Sequence, residues 1–328
     1  MATYKGIKGV KVVTKATDPT ASEAEGTVWY NSTSPTALKY ATQGSGAWAS
    51  GTAAPTPGNQ AGGAGIQTAY LIWGGSAPGV TGASNSYDGT SWTATNSMVN
   101  SISGTAGLGS QTAALGSGGY GPGPYSNRSE EFDGTCWAAV NVDANKPAVG
   151  YLGLTGTQTA GLSVGGYGSP PGQVNAVSEY DGTNWTAGNV FPASMSSIFC
   201  LGTQTAAIAV GGSPPTRVLG FDYDGTSWTA GDSINTARYS GQAGGINTAG
   251  IIAGGGDPKM NQTETYDGSS WTEVGVLGTA RSSIANGYTM VSAATTSFIA
   301  ATGDDGSKTT AVEEWNDPVY TIKTVTVS

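Results

Sequence analysis

The chain has 328 residues, 53 of them glycine, with 11% charged residues and a net charge of −9. Its 13 basic residues are scattered or gathered near the N-terminus, which disfavours nucleic-acid binding by the body of the protein. There is no apolar run of about eighteen residues to span a membrane, and the absence of histidine excludes Ser-His-Asp and Cys-His nucleophile pairs and removes the commonest zinc and copper ligand.

In chain order, residues 1–52 form an N-terminal segment distinct from the remainder, 53–328. It opens on Met1-Ala2-Thr3-Tyr4-Lys5-Gly6, which lacks the apolar core of a signal peptide, so use without Sec export is expected. Lys5, Lys8, Lys11 and Lys15 follow, then Gly26-Thr27-Val28-Trp29-Tyr30-Asn31, Leu38-Lys39-Tyr40 and Gly46-Ala47-Trp48. The lysines read either as a solvated arm or, with Trp29 and Tyr30, as a docking element for the acidic face of a larger assembly.

From about residue 60 two phrases alternate. One is a polar pair, an apolar run and a glycine pair: Thr68 to Gly75, Thr112 to Gly119, Thr159 to Gly166, Thr205 to Gly212, Thr248 to Gly255, and a worn copy from Ser297 to Gly303. Gln67, Gln111, Gln158 and Gln204 precede four of these copies and Asn247 the fifth. A short, continuously apolar run such as Tyr70-Leu71-Ile72-Trp73, stopped by Gly-Gly, predicts a strand buried on both faces. Loops of varied length come next, at Ser76–Ser86, Tyr120–Arg128, Tyr167–Val174, Ser213–Val218 and Gly256–Thr263, as exposed connections do.

The second phrase is an aromatic residue followed by Asp-Gly and then tryptophan. It is carried by Asp88, Gly89 and Trp92; by Asp133, Gly134 and Trp137; by Asp181, Gly182 and Trp185; by Asp224, Gly225 and Trp228; and by Asp267, Gly268 and Trp271. Glu313-Glu314-Trp315-Asn316-Asp317 stands in the sixth register. A period of this size is the mark of a repeat architecture, here all-β with four antiparallel strands per repeat. Asp-Gly between β-prone stretches predicts a two-residue type I′ hairpin, with the tryptophan covering the junction to the next repeat. The aspartates therefore read as turn residues and not as metal ligands, and the acids before the aromatics, Glu131, Glu179, Asp222 and Glu314, as a solvated stripe.

The Gly-Gly and Trp positions over about residues 60 to 318 resemble the kelch repeat, whose members build β-propellers with one four-stranded blade each. The hairpin is shorter here than in most kelch proteins. The Asp-Gly-Thr-x-Trp core also resembles the Asp-box of sialidases, but its spacing does not match. The resemblance implies a kelch-like β-propeller; the six registers of the two phrases give six blades, with the alternating C-terminal strand Val319–Val327 taking part in closure, and the alternative is seven blades using the hairpin Leu38 to Trp48, since Trp48 precedes Trp92 by one period.

The N-terminal segment is similar to stretches of bacteriophage virion proteins, tail fibres and tail appendages of marine phages in particular. That resemblance implies a virion structural protein, made in the host cytoplasm; with no histidine and only four arginines, neither an enzyme nor a cofactor or bound metal is expected. Its expected partners are other virion proteins through residues 1–52 and a host-surface glycan or protein at the propeller loops, with Tyr120, Tyr125, Arg128, Tyr167 and Arg217 as candidate binding residues. A purely architectural decoration or tail-tip protein and a propeller-type carbohydrate-active enzyme are the alternative readings. Cys136 and Cys200 fit two reduced thiols better than a disulfide.

Overall fold

A computed structural model describes all residues except 1–11, 20–27, 34–35, 44–45, 57, 77, 141–145, 169–171, 214, 216, 257, 286–287, 290–296, 317–319 and 326–328. The candidate docking residues Lys5, Lys8 and Lys11 lie outside the described residues. Among the described residues there is no helix. The chain divides into two compact units, one of Met1–Ala47 with Asp317–Ser328, the other Trp48–Asn316.

The smaller unit is a four-stranded sheet in the order Val13–Lys15, Val28–Asn31, Ala37–Gln43, Tyr320–Thr324. Asp18 knits it together: its carboxylate accepts from Trp29 Nε1 (3.1 Å), Asn31 Nδ2 (2.7 Å) and Lys39 Nζ (2.6 Å). The bonds from Lys39 and Asn31 hold the Asp18 carboxyl below its ordinary pKa. Trp29 is 1% exposed, so it is core and cannot serve as a docking residue, whereas Tyr30, on the other face of the same strand, is 41% exposed. This sheet also corrects the expected closure. Tyr320–Thr324 pairs antiparallel with Ala37–Gln43, and the C-terminal residues group with the N-terminal segment rather than with 53–316.

In the larger unit each full repeat is an antiparallel sheet whose strands follow chain order. The first is Gly62–Ile66, Ala69–Trp73, Ser84–Tyr87 and Trp92–Thr95; the second Ala106–Ser110, Ala113–Ser117, Ser129–Phe132 and Trp137–Ala139. Three more follow, beginning at Gly153, Phe199 and Gln242. The worn sixth copy provides Ser297–Ala301 and Val312–Asn316, and its outer place is filled by Ala47–Ser50 from the other end of the sequence. Trp48 supplies what the C-terminal run lacks, an indole that packs on Trp315 (5.7 Å) and Phe298 (5.9 Å). The short strand Tyr288–Thr289 lies between Gln242–Ile246 and Gly62–Ile66, parallel to both.

The core lies between neighbouring repeats. Leu71, Trp73, Ala114, Phe132 and Trp137 cluster across the first and second; Tyr70, Ile72 and Tyr87 pack with Ile299, Ala301 and Val312 across the sixth and first. The run Tyr70–Trp73 is buried throughout, at 0–6% exposure. The repeat tryptophans look backward rather than forward: Trp137 packs on Trp73 at 4.9 Å, and Trp185 Nε1 donates to Ser129 Oγ of the preceding repeat (3.1 Å). Each also stacks on its own repeat's aromatic, as in Tyr87–Trp92 (4.8 Å) and Tyr223–Trp228 (4.7 Å).

The glycine pair is the clasp from one repeat to the next. The second glycine donates its N–H to a carbonyl of the following repeat: Gly75 to Ile102, Gly119 to Val149, Gly166 to Met195, Gly212 to Arg238 and Gly255 to Arg281, at 2.7–3.0 Å. The first glycine lies against that same carbonyl, and a Cβ on Gly118 would sit 2.5 Å from Val149 O at φ 66°. The preceding glutamine reaches back: Gln111 Nε2 donates to the carbonyls of Tyr70 (3.2 Å) and Tyr87 (2.7 Å), and Gln158 and Gln204 repeat the contact one register on.

Candidate functional site

The two faces of the repeat array differ. One carries the Asp-Gly turns, and it is uniform. Tyr87 pairs with Trp92 across a four-residue loop, so the turn is not the expected two-residue type I′. Only Gly89 takes positive φ (91°), because Asp88 Oδ1 accepts from Thr90 N (2.8 Å) and Ser91 N (2.7 Å) and closes the loop itself. Asp133, Asp181, Asp224 and Asp267 do the same. These backbone donors lower the pKa values of Asp88, to about 2, and of Asp133, Asp181 and Asp224, while at Asp267 the Ser269 hydroxyl leads and the backbone donors add to it. Thr68, Thr112, Thr159, Thr205 and Thr248 pack beneath the five turn glycines. Among the described residues no group of three His, Cys, Asp or Glu side chains is placed to hold a metal ion.

The opposite face carries the connections that follow the glycine pairs, and it is varied. At its centre runs a closed circuit of backbone hydrogen bonds. Gly104 N donates to Gln60 O, Tyr151 N to Gly104 O, Ser197 N to Tyr151 O, Ser240 N to Ser197 O, Ser283 N to Ser240 O and Gln60 N back to Ser283 O, at 2.6–3.1 Å. All six residues have positive φ, and five of them are not glycine. That backbone state is uncommon for residues with a side chain, and here the circuit enforces it.

Beside the circuit stand four half-buried tyrosines. Tyr120 donates to Gln60 Oε1 (2.6 Å), and Tyr151 donates to Tyr120 Oη (3.2 Å). Tyr125 meets Tyr120 edge-on at 5.9 Å and Tyr167 at 5.7 Å. Burial raises the pKa of Tyr125 and Tyr151, with the neighbouring phenols adding to it. The structure thus brings Tyr120, Tyr125 and Tyr167 together. It adds Tyr151, whose only sequence signal is its place on the repeat beat, and leaves Arg217 in the fourth repeat's loop, its N–H bonded to Gly212 O (3.2 Å).

Next to Tyr125 the second repeat's loop opens a cavity of about 360 Å³. Glu130 forms its floor at 3% exposure, accepting from Val99 N (2.8 Å), Asn100 N (3.0 Å) and Asn100 Nδ2 (2.7 Å). Asn100 Oδ1 in turn accepts from Arg128 Nη1 (2.9 Å). Among the described residues Arg128 has no carboxylate partner, in contrast to the buried pairs Arg238–Glu264 and Arg281–Glu313.

Three of the four acids before the aromatics are not a solvated stripe, and at the fourth place Tyr266 donates to Asp232 (2.8 Å) and not to Asp222. Tyr180 donates to Glu131 (2.8 Å), Tyr223 to Glu179 (2.5 Å) and Tyr87 to Glu314 (2.6 Å), each across a repeat boundary.

No protein-family model matches the chain, and no curated protein matches it. Among solved structures it is similar to YjhT, a protein of β-propeller-type fold, with a TM-score of 0.66 at 14% identity over 83% of this chain and 99% of that one. The architecture is that of a β-propeller. At this identity the likeness speaks for the fold of the propeller and for nothing else.

Proposed function

We propose that the chain is a six-bladed, kelch-like propeller that serves as a recognition component of a bacteriophage particle. Residues 1–52 attach it to other virion proteins, and the propeller turns its varied face to the host surface. The observation that carries this reading is the division of labour between the two faces. The Asp-Gly face repeats the same side chains in the same bonds, as a scaffold does. The other gathers Tyr120, Tyr125, Tyr151 and Tyr167 beside a polar cavity. Aromatic side chains with a polar tip, on loops held by a rigid frame, are the usual material of a binding surface. The similarity of the N-terminal segment to marine phage appendages supplies the particle.

The test is adhesion. Fluorescently labelled protein is incubated with a panel of marine bacterial isolates and binding is read by flow cytometry, with a variant carrying Ala at Tyr120, Tyr125 and Tyr167 alongside. Saturable binding to some isolates that the variant loses supports the reading. Binding to none, or binding the variant retains in full, overturns it.

A further inference from the structure

We propose that the cavity beside Tyr125 is a subsite for one neutral saccharide unit, an inference that rests on the recognition reading above and gives its ligand a chemical class. The volume of about 360 Å³ lies at the small end of the range for small-molecule pockets. Its polar groups are fixed before any ligand arrives. Glu130 is held by three N–H donors, Asn100 bridges from that carboxylate to Arg128, and the chain of bonds fixes the guanidinium at the rim. One of five guanidinium N–H donors is engaged by Asn100, so the remaining edge is free to span two adjacent oxygens.

The ligand class follows from charge and shape. The cavity is lined by one arginine and one glutamate, so its local charge cancels, and the chain around it is acidic. A polyanion gains little there. An apolar ligand would strand the Arg128 and Asn100 groups without partners. A pyranose ring fits both requirements. Its vicinal hydroxyls offer paired oxygens to Arg128, and its C–H face offers an apolar plate to Tyr125, whose ring is braced by Tyr120 and Tyr167. The backbone adds to the match, since the Gly121-Pro122-Gly123-Pro124 rim bears little side-chain bulk and no Cβ at Gly123 would meet any atom.

The experiment titrates the full chain with the methyl glycosides of glucose, galactose, mannose and N-acetylglucosamine, with glucuronate as the charged comparator. It is read by calorimetry and by tyrosine fluorescence. The variants are Arg128→Ala, at an exposed position, and Tyr125→Ala, at a half-buried one, with melting curves recorded to show that they fold; Arg217→Ala is the control. At least one neutral glycoside binds with a millimolar or tighter Kd, and each of the two variants weakens it by about tenfold or more, the loss of one well-made polar or aromatic contact. Binding of neutral sugars that both variants retain overturns the site. Binding of glucuronate alone overturns the neutral class. If no sugar binds at tens of millimolar while the protein still adheres to cells, the saccharide inference falls and the recognition reading stands. If adhesion also fails, both fall.

Discussion

The Tyr87 hydroxyl donates to Glu314 Oε1 at 2.6 Å, joining the first repeat to the last. The same bond recurs from Tyr180 to Glu131 and from Tyr223 to Glu179. Where the preceding repeat has no acid at this place, the next aromatic has no hydroxyl: Ser86 precedes Phe132 in the cycle, and Thr265 precedes Trp315. A buried phenol needs an acceptor, and Phe132, in the place where Ser86 offers no carboxylate, is a ring that needs none.

Removing the Tyr87 hydroxyl with Tyr87→Phe therefore lowers stability by about 1.5–3 kcal/mol, the range for a hydrogen bond to a charged group. Installing the pair as Ser86→Glu with Phe132→Tyr gives a favourable coupling of about 1 kcal/mol in a double-mutant cycle read by urea unfolding. Coupling near zero would refute the pairing rule.

The phenols also set the alkaline limit. Burial, with Glu314 beside it, pushes the Tyr87 pKa up from 10.0 to about 12, and the pKa values of Tyr180, Tyr223 and Tyr266 rise for the same reasons. A raised folded pKa stabilises fully below the unfolded value and is lost as pH climbs through the folded one. Unfolding free energy should fall between pH 10 and 12, in step with the absorbance change of phenolate. A flat profile there would contradict these contacts.

The acid limit has the opposite sign. The Asp88 carboxyl is held down at about 2 instead of 3.8, Asp133, Asp181 and Asp224 are lowered by the same backbone N–H donors, and Asp267 by the Ser269 hydroxyl together with them. Lowered carboxyl pKa values stabilise above the unfolded value and are lost as pH drops through the folded ones. Melting temperature should decline from pH 4 to pH 2. Asn in place of all five aspartates, which keeps the side-chain acceptor without the charge, should flatten that decline.

The buried ion pair Arg281–Glu313 (2.8 Å) makes a sharper case. Arg281→Met leaves the Glu313 carboxylate buried without its cation and should cost about 3–5 kcal/mol. Adding Glu313→Gln should restore a large part of it, because the stranded charge is gone. If the double variant is no better than the single one in chemical denaturation, the pair is not what holds this junction.

The glycine clasp predicts a contrast of positions. Gly118→Ala adds a Cβ 2.5 Å from Val149 O and forces a left-handed residue, so a loss of about 3 kcal/mol or more is expected. Gly79→Ala, with no atom within 4 Å, should be silent. Thiol labelling gives an independent check of the fold: Cys136 is exposed and reacts in the native state, while Cys200, buried and with its pKa raised to about 12, reacts only on unfolding.

Much of the scaffold could be read from the sequence, because glycine, aspartate and tryptophan are each dictated by local geometry. Gly118 and Gly119 need positive φ, Asp88 caps its own loop, and Trp137 fills a boundary, so these residue types recur wherever the geometry does. What could not be read depends on pairing across repeats. Trp48 and the C-terminal run both suited an outer strand, and only the contact with Trp315 and Phe298 decides between them. The circuit through Gln60, Gly104, Tyr151, Ser197, Ser240 and Ser283 constrains backbone alone, so no single residue type marks all of its places. The cavity was half legible: Tyr125 and Arg128 stood out as loop residues, but Asn100, which holds Arg128, comes from an earlier connection, and Glu130, which holds Asn100, sits on the strand after the loop.

The outer strand Ala47–Ser50 leaves the ribosome well before its neighbour Val312–Asn316. Until that strand has been made, the indole of Trp48 is therefore without Trp315. A nascent chain stalled short of that point carries an open seam, with one tryptophan and one strand edge bare to whatever else is in the cell. Quality of synthesis, as much as the strength of any contact, decides how much finished protein a cell obtains.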